Sequence, residues 1–231
     1  MDAMTENTIR QEQVESFGQL MAGFSHDMKN HLGIIRESNG LMSDIIEMSG
    51  LGEDETSVER LKKAISTIER RVVIAANMLH HLSGFAHRPD TPYSSFQIND
   101  LITEECTFLE RFSRLKQINL SLELGEGLPA VYNDPSLLQH VFYRVYVLCL
   151  EQLNTGHSLV INTGQDEKNV TITFRLFGTL QVNLEKLSDK NLLAAIKKLE
   201  GTLETSAITK DHADITLTIA CSSVHFASSE I

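Results

Sequence analysis

Between Thr5 and Met48 the sequence contains no proline, and its apolar residues recur three or four apart: Phe17, Met21, Phe24, Met28, then His31 or Leu32, Ile35, Met42 and Ile45. That period lines one face of a single helix. At 1.5 Å per residue such a helix is roughly 65 Å long, about twice the diameter of a small domain. Ser49-Gly50-Leu51-Gly52 supplies the stop, with glycine taking the left-handed cap. A second helix opens near Glu55-Thr56-Ser57 and carries Val58, Leu61, Ile65, Ile68, Val72, Ala75, Leu79 and Leu82 at the same spacing. Joined by a short turn, the two form an antiparallel hairpin. A lone hairpin leaves part of each apolar face uncovered, and two hairpins about a two-fold axis cover it, so the expected assembly is a homodimeric four-helix bundle. The alternative is a hairpin packed on the chain's own C-terminal half.

Helix geometry also sorts the polar residues inside this seam. His26 lies about 200° round the helix from Phe24 and Met28 and about 140° from Met21, so it points to water rather than to the seam. Asp27 is one step round and Asn30 one turn on, so an imidazole, a carboxylate and an amide are expected to share one exposed stripe. An imidazole attacks phosphorus only when neutral, and an ordinary histidine, with a pKa near ~6.5, is mostly neutral at pH 7. A carboxylate that accepts the proton of one ring nitrogen leaves the lone pair on the other. Adjacent helix residues do not face each other, so Asp27 needs a rotamer change or a bridging water to reach His26. A His-Asp pair on a solvated helix face, taken alone, carries no chemistry.

The remainder of the chain has a different texture. Arg88-Pro89-Asp90-Thr91-Pro92 breaks the second helix. A strand is expected at Phe96 to Ile98, then a helix capped by Asn99 that carries Leu101, Ile102, Cys106, Phe108 and Leu109. Ile118 to Leu124 alternates like a half-buried strand. Asp134-Pro135 is an N-cap and first-turn pair opening a helix to about Leu153. Strands are expected next at Ser158 to Thr163 and Val170 to Phe177, a helix near Asp189 to Glu200, and strands at Thr202 to Thr205 and Ile215 to Ala220. The expected fold class is α+β: a helical hairpin over residues 1–88, a linker over 89–95, and an α/β sandwich over 96–231.

Composition narrows the partners. With 42% hydrophobic residues in 231, the chain can bury a core. A net charge of −11 argues against nucleic acid and anionic membrane. No apolar run approaches the ~20 residues of a membrane span, and the polar start lacks a signal-peptide pattern, so a cytoplasmic location is expected. Cys106, Cys149 and Cys221 are too scattered for a metal motif, and reduced thiols are the default.

The stretch Ser25 to Leu32, SHDMKNHL, resembles the phosphoacceptor box of two-component histidine kinases: Ser or Ala, His, an acid, two residues, Asn or Thr, a residue that is usually Pro, then Leu. The resemblance implies that His26 is the phosphoacceptor, that Asp27 orients and stabilises its imidazole, and that Asn30 is a polar support or positions water. His31 stands where the proline would be, which removes the cause of the kink expected there. From Phe96 onward the element order resembles the ATP-binding catalytic domain of the same kinases. The asparagines that hold magnesium and nucleotide phosphates in that family correspond to Arg144 and Leu148. The aspartate that accepts from the adenine amine corresponds to Leu176, in Leu176-Phe177-Gly178-Thr179-Leu180. The phosphate-cradling loop reads Glu185-Lys186-Leu187-Ser188-Asp189 and has no glycine.

The expectation is therefore a degenerate kinase-type domain that binds no ATP, and a chain that carries no cofactor, with magnesium on its partner. The resemblance then implies a phosphotransferase with a phosphohistidine intermediate, similar to the dimeric phosphorelay proteins built from a kinase-type hairpin and a degenerate kinase domain. Its partners would be receiver domains of response regulators, with a hybrid histidine kinase as a further candidate. The alternatives are a response-regulator phosphatase that uses Asn30 to orient water, and a non-catalytic pseudokinase-like dimer that binds a receiver or a kinase. A metal site in which His80 and His81 approach His26 and His31 is a fourth reading, with no carboxylate to back it.

Overall fold

A computed structural model of the chain describes residues 3–49, 55–91, 93–166, 168–179 and 184–221. Helix α1 spans Ala3–Ser49 and α2 spans Glu55–His87. The expected glycine stop at Gly50 to Gly52 lies outside the described residues. The pairing is antiparallel. Phe17 stacks on Phe85, with ring centroids 5.4 Å apart, while further along α1 His31 meets Arg71, further back on α2.

The chain divides into two compact units, Gln19–Ser83 and Met1–Gly18 with Gly84–Ile231. The division thus differs from a cut at residue 88: the first turns of α1 and the last residues of α2 go with the C-terminal unit.

In the unit Gln19–Ser83, α1 buries or half-buries Leu20, Phe24, Asp27, His31, Ile34, Ser38, Met42 and Ile45, and α2 does the same with Ser57, Leu61, Ala64, Ile68, Arg71, Ala75, Met78 and Leu82. Both stripes step by threes and fours, as a packed helix pair requires. The α1 stripe takes His31 and leaves Leu32 at 56% exposed, because position 31 continues the line through Asp27 and Arg71 meets it from across the seam. On α2 the expected seam splits in two. One stripe is used within the hairpin, while Ile65, Val72 and Leu79, each seven residues from the next, remain 44%, 50% and 52% exposed.

The larger unit is built around a five-stranded sheet. A short 3-10 turn, Arg88–Asp90, leads to β1 (Ser94–Phe96), α3 (Ile98–Leu115), β2 (Asn119–Glu123), β3 (Val131–Asn133), α4 (Pro135–Gln152), β4 (Ser158–Asp166) and β5 (Asn169–Phe177). A second 3-10 turn, Leu184–Ser188, then precedes α5 (Lys190–Lys198), β6 (Gly201–Ser206) and β7 (His212–Ala220). The sheet order is β2-β4-β5-β7-β6, with β2 parallel to β4 and the other pairs antiparallel; β1 and β3 form a separate antiparallel pair. Strands β4, β5 and β7 bury every second residue, among them Leu159, Ile161, Ile172, Phe174, Leu217 and Ile219, and α3, α4 and α5 supply the other side of this core.

Two local expectations fail for nameable reasons. The strand expected at Phe96 to Ile98 ends at Phe96, and Ile98 becomes the first residue of α3, where it is fully buried. Asn99 does not cap α3. Its amide donates to the Gly125 carbonyl at 2.7 Å and its carbonyl accepts from Thr163 Oγ1 at 2.7 Å, tying the helix to β4. Asp134 does cap α4, accepting from the Leu137 amide at 2.9 Å.

The first turns of α1 join this unit through polar contacts. Glu12 pairs with Arg144 and accepts from Asn191 Nδ2 at 2.8 Å, and Ser16 Oγ lies 3.1 Å from His140 Nδ1. Burial, aided by the Arg144 charge, lowers the His140 pKa to about 4, so this ring is neutral at pH 7. Phe85 lies between Phe17 and Phe108 and provides the apolar part of the junction.

One side chain works against the fold. Glu105 on α3 is fully buried with neither carboxylate oxygen hydrogen-bonded, and burial raises its pKa well above the ordinary value even though Arg88 pulls the other way. The folded state therefore holds a proton that the unfolded chain releases near the ordinary carboxylate pKa. Because the folded state binds more protons, stability falls as pH rises above that point. Glu105→Met should raise the melting temperature at pH 8 and raise it progressively less toward pH 4, as measured by thermal denaturation across that range.

Candidate functional site

Helix α1 passes through Ser25 to Leu32 without a break, as expected once histidine replaces proline at position 31. The His26 side chain is 53% exposed and that of Asp27 only 17%. Asp27 therefore stands at the edge of the seam with α2 rather than on the exposed stripe. That placement brings it within reach of its neighbour: His26 Nδ1 is 3.1 Å from Asp27 Oδ1 without a bridging water. Asn30 Nδ2 lies 3.2 Å from the same nitrogen. All three expected site residues thus converge on one atom.

One ring nitrogen cannot serve both neighbours in the same way. When Nδ1 carries the proton it donates to Asp27, and Nε2 holds the lone pair. When the Asn30 amide donates to Nδ1, the proton of a neutral ring sits on Nε2 instead. The first tautomer presents a nucleophile at Nε2 and the second does not. The Asp27 carboxylate is also placed to stabilise the imidazolium formed when Nε2 takes on an electrophile.

Among the described residues no group of three or more His, Cys, Asp or Glu side chains is arranged to hold a metal. His80 and His81 pack edge to face, 5.8 Å between ring centroids, and His31 meets Arg71, with Nη1 3.5 Å from Nδ1. Burial raises the thiol pKa of Cys106 and Cys149 well above the ordinary range, which suppresses the thiolate that a cysteine nucleophile needs.

The residues that the kinase resemblance sets at a nucleotide site have partners within the chain. Arg144 pairs with Glu12 and, at 3.3 Å, with Asp189. Asp189 also accepts from the amides of Asn191 and Leu192 at 3.1 and 2.9 Å and so caps α5. The guanidinium and the first amides of α5, groups that would suit a phosphate, are already engaged by the chain's own carboxylates. Leu148 is half-buried, and Leu176 is fully buried in β5 between Leu159 and Ala213. Gly178 has φ +138°, and a side chain there would run into the His157 ring. The stretch expected as a loop before α5 forms the 3-10 turn Leu184–Ser188, anchored by Leu187 and by a Lys186–Glu151 ion pair of 2.5 Å.

Sequence reading missed Arg71 and Glu12. For Arg71 the available signal was the antiparallel register, which sets it opposite His31; for Glu12 there was none, since its partners lie more than a hundred residues away. Introducing an acid in β5 should disturb the core rather than create a site. Leu176→Asp should cost about 3–5 kcal/mol, because it buries an unpaired polar group, and should give no ATP-dependent stabilisation; denaturant unfolding with and without ATP and magnesium measures both.

No protein-family model matches the chain. Among curated proteins it is similar to the sensor histidine kinase ZraS of Salmonella typhi, 23% identical over 176 residues, covering 75% of this chain and 35% of that protein. It is also similar to sporulation kinase E of Bacillus subtilis, 17% identical over 190 residues, covering 80% and 24%. The chain therefore spans about a third of the length of the first and a quarter of the second. Among solved structures it is similar to the Acinetobacter baumannii histidine kinase AdeS, with a TM-score of 0.48 and 16% identity over 85% of this chain and 98% of that one. The catalytic domain of histidine kinase ThkA gives a TM-score of 0.49 and 17% identity over 57% and 97%. ThkA in complex with response regulator protein TrrA gives 0.47 and 16% over 96% and 67%. Over about three-quarters of its length the chain is thus similar in sequence to histidine kinases, and its fold is of the histidine kinase kind.

Proposed function

We propose that this chain is a histidine phosphotransferase of a two-component phosphorelay, passing a phosphoryl group between His26 and receiver-domain aspartates without using ATP. The observation that carries the reading is the contact of His26 Nδ1 with Asp27 at 3.1 Å on a solvent-facing side of a continuous helix. In the step, His26 Nε2 attacks the phosphorus of a receiver's aspartyl phosphate. The P–N bond forms, the P–O bond to the aspartate breaks, and the carboxylate leaves. Asp27 offsets the charge of the resulting imidazolium, and onward transfer reverses the step at a second receiver. Magnesium belongs to the receiver. The engagement of Arg144 and the α5 amides by Glu12 and Asp189 supports the absence of ATP from the scheme.

Asn30 favours a second reading. Its amide is 3.2 Å from His26, and an amide suits the orienting of water for receiver dephosphorylation. The two readings separate on one set of variants. Incubation with a phosphorylated receiver should place acid-labile, base-stable label on the wild type and none on His26→Ala, while labelled ATP with magnesium should label neither and leave the melting temperature unchanged. Discharge of the receiver by His26→Ala at the wild-type rate, together with its loss in Asn30→Ala, would replace the relay by the phosphatase.

The chain acts as a homodimer in this reading. Ile65, Val72 and Leu79 recur at seven residues along α2 and stay exposed in the single chain, the pattern of a seam awaiting a second hairpin. Leu79→Glu should dissociate or unfold the protein, since an unpaired charge buried at the seam costs several kcal/mol, on the order of 3–5. Light scattering that finds the wild type monomeric at micromolar concentration would remove the dimer.

A further inference from the structure

Arg71 comes from the helix that does not carry His26. Its Nη1 is 3.5 Å from His31 Nδ1, in a half-buried contact across the seam, and its Nε is shut off from solvent without a hydrogen-bond partner. A guanidinium has no lone pair to offer, so at this contact Arg71 is the donor and His31 Nδ1 the acceptor. The proton of a neutral His31 ring then resides on Nε2. One turn back on the same face of α1 stands Asp27, which is largely buried and whose Oδ1 faces His26. A carboxylate accepts at two oxygens.

We infer that Arg71 and His31 are positioning residues for His26, a role that rests on the phosphotransfer reading: Arg71 fixes the His31 proton on Nε2, that N–H donates to Asp27, and Asp27 so held takes the Nδ1 proton of His26. The need for such a device is visible at the site. His26 Nδ1 has an acceptor at 3.1 Å and an amide donor at 3.2 Å, and only the first leaves a nucleophilic Nε2. Distance barely separates the two, so the orientation and charge of Asp27 decide between them. A donor from His31 holds one oxygen of Asp27 while the other faces His26. Without Arg71 the His31 proton can move to Nδ1, the donor to Asp27 is lost, and the Asn30-bonded tautomer of His26 gains population.

The test uses the full chain with nitrogen-labelled histidine, whose imidazole NMR signals tell a protonated ring nitrogen from one carrying a lone pair; spectra of His26→Gln and His31→Gln assign the two rings. Wild type should show the proton on Nδ1 of His26 and on Nε2 of His31. Arg71→Met should move His26 toward the Nε2-protonated form and slow label transfer from a phosphorylated receiver by about tenfold or more, with receiver binding unchanged. His31→Gln, whose amide can accept from Arg71 and donate to Asp27, should lose less rate than His31→Leu, which can do neither. Should Arg71→Met not fold, the two His31 variants carry the test. An unaltered His26 tautomer in Arg71→Met, or equal rates for His31→Gln and His31→Leu, would overturn the inference and leave these residues a structural role. The tautomer spectra judge the positioning even if wild type takes no label, a result that would sink the phosphotransfer reading instead.

Discussion

A helix of 47 residues cannot bury its own apolar surface, and that constraint governs how this chain is put together. Helix α1 needs α2 over its middle, and its first turns need something else. In the stretch Gln19 to Ser83 the need is met by apolar side chains that both helices bury, Leu20 and Ile45 on α1 and Ala64, Ala75 and Met78 on α2. Toward the N-terminus it is met by the C-terminal unit, where α1 offers Ile9, Thr5 and Ser16 as buried residues and Glu12 as a charge. The helix is thus held by two different chemistries along its length, one mainly apolar and one mainly polar. A polar contact of this kind resembles the interface between domains more than a core.

The stretch around His26 sits where the apolar chemistry is interrupted. Asp27, His31 and Arg71 occupy seam positions that an ordinary hairpin would give to leucine or valine. Polar groups in a half-buried seam cost stability unless they satisfy one another, which ties each of them to a specific partner and orientation. Groups at sites of chemistry commonly break local rules in this way.

Much of this was legible in the residues. Helical angles alone put His26 in water, and Asp134-Pro135 announced its helix correctly, because both depend on local geometry. Asp27 was set on the wrong side of the line because the choice between Leu32 and His31 as the seam residue depends on what stands opposite, and Arg71 is forty residues away. The short pair β1 and β3 escaped for a similar reason: three-residue strands carry too little alternation to be seen without their partners. Asn99 has the chemistry of a cap, and only the approach of Gly125 and Thr163 redirects its amide.

The arginine at position 144 has a consequence for how such a chain could change. A neutral amide at this place in α4 would need no counter-charge. An arginine there reverses the requirement. It is a permanent cation, three-quarters withdrawn from solvent, and it needs anions supplied from within the fold, which Glu12 and Asp189 provide. Replacing Arg144 by an amide would leave Glu12 and Asp189 without the charge that reconciles them. The charge balance around Arg144 and the attachment of the first turns of α1 are in that sense a single, interlocked commitment, because Glu12 serves both.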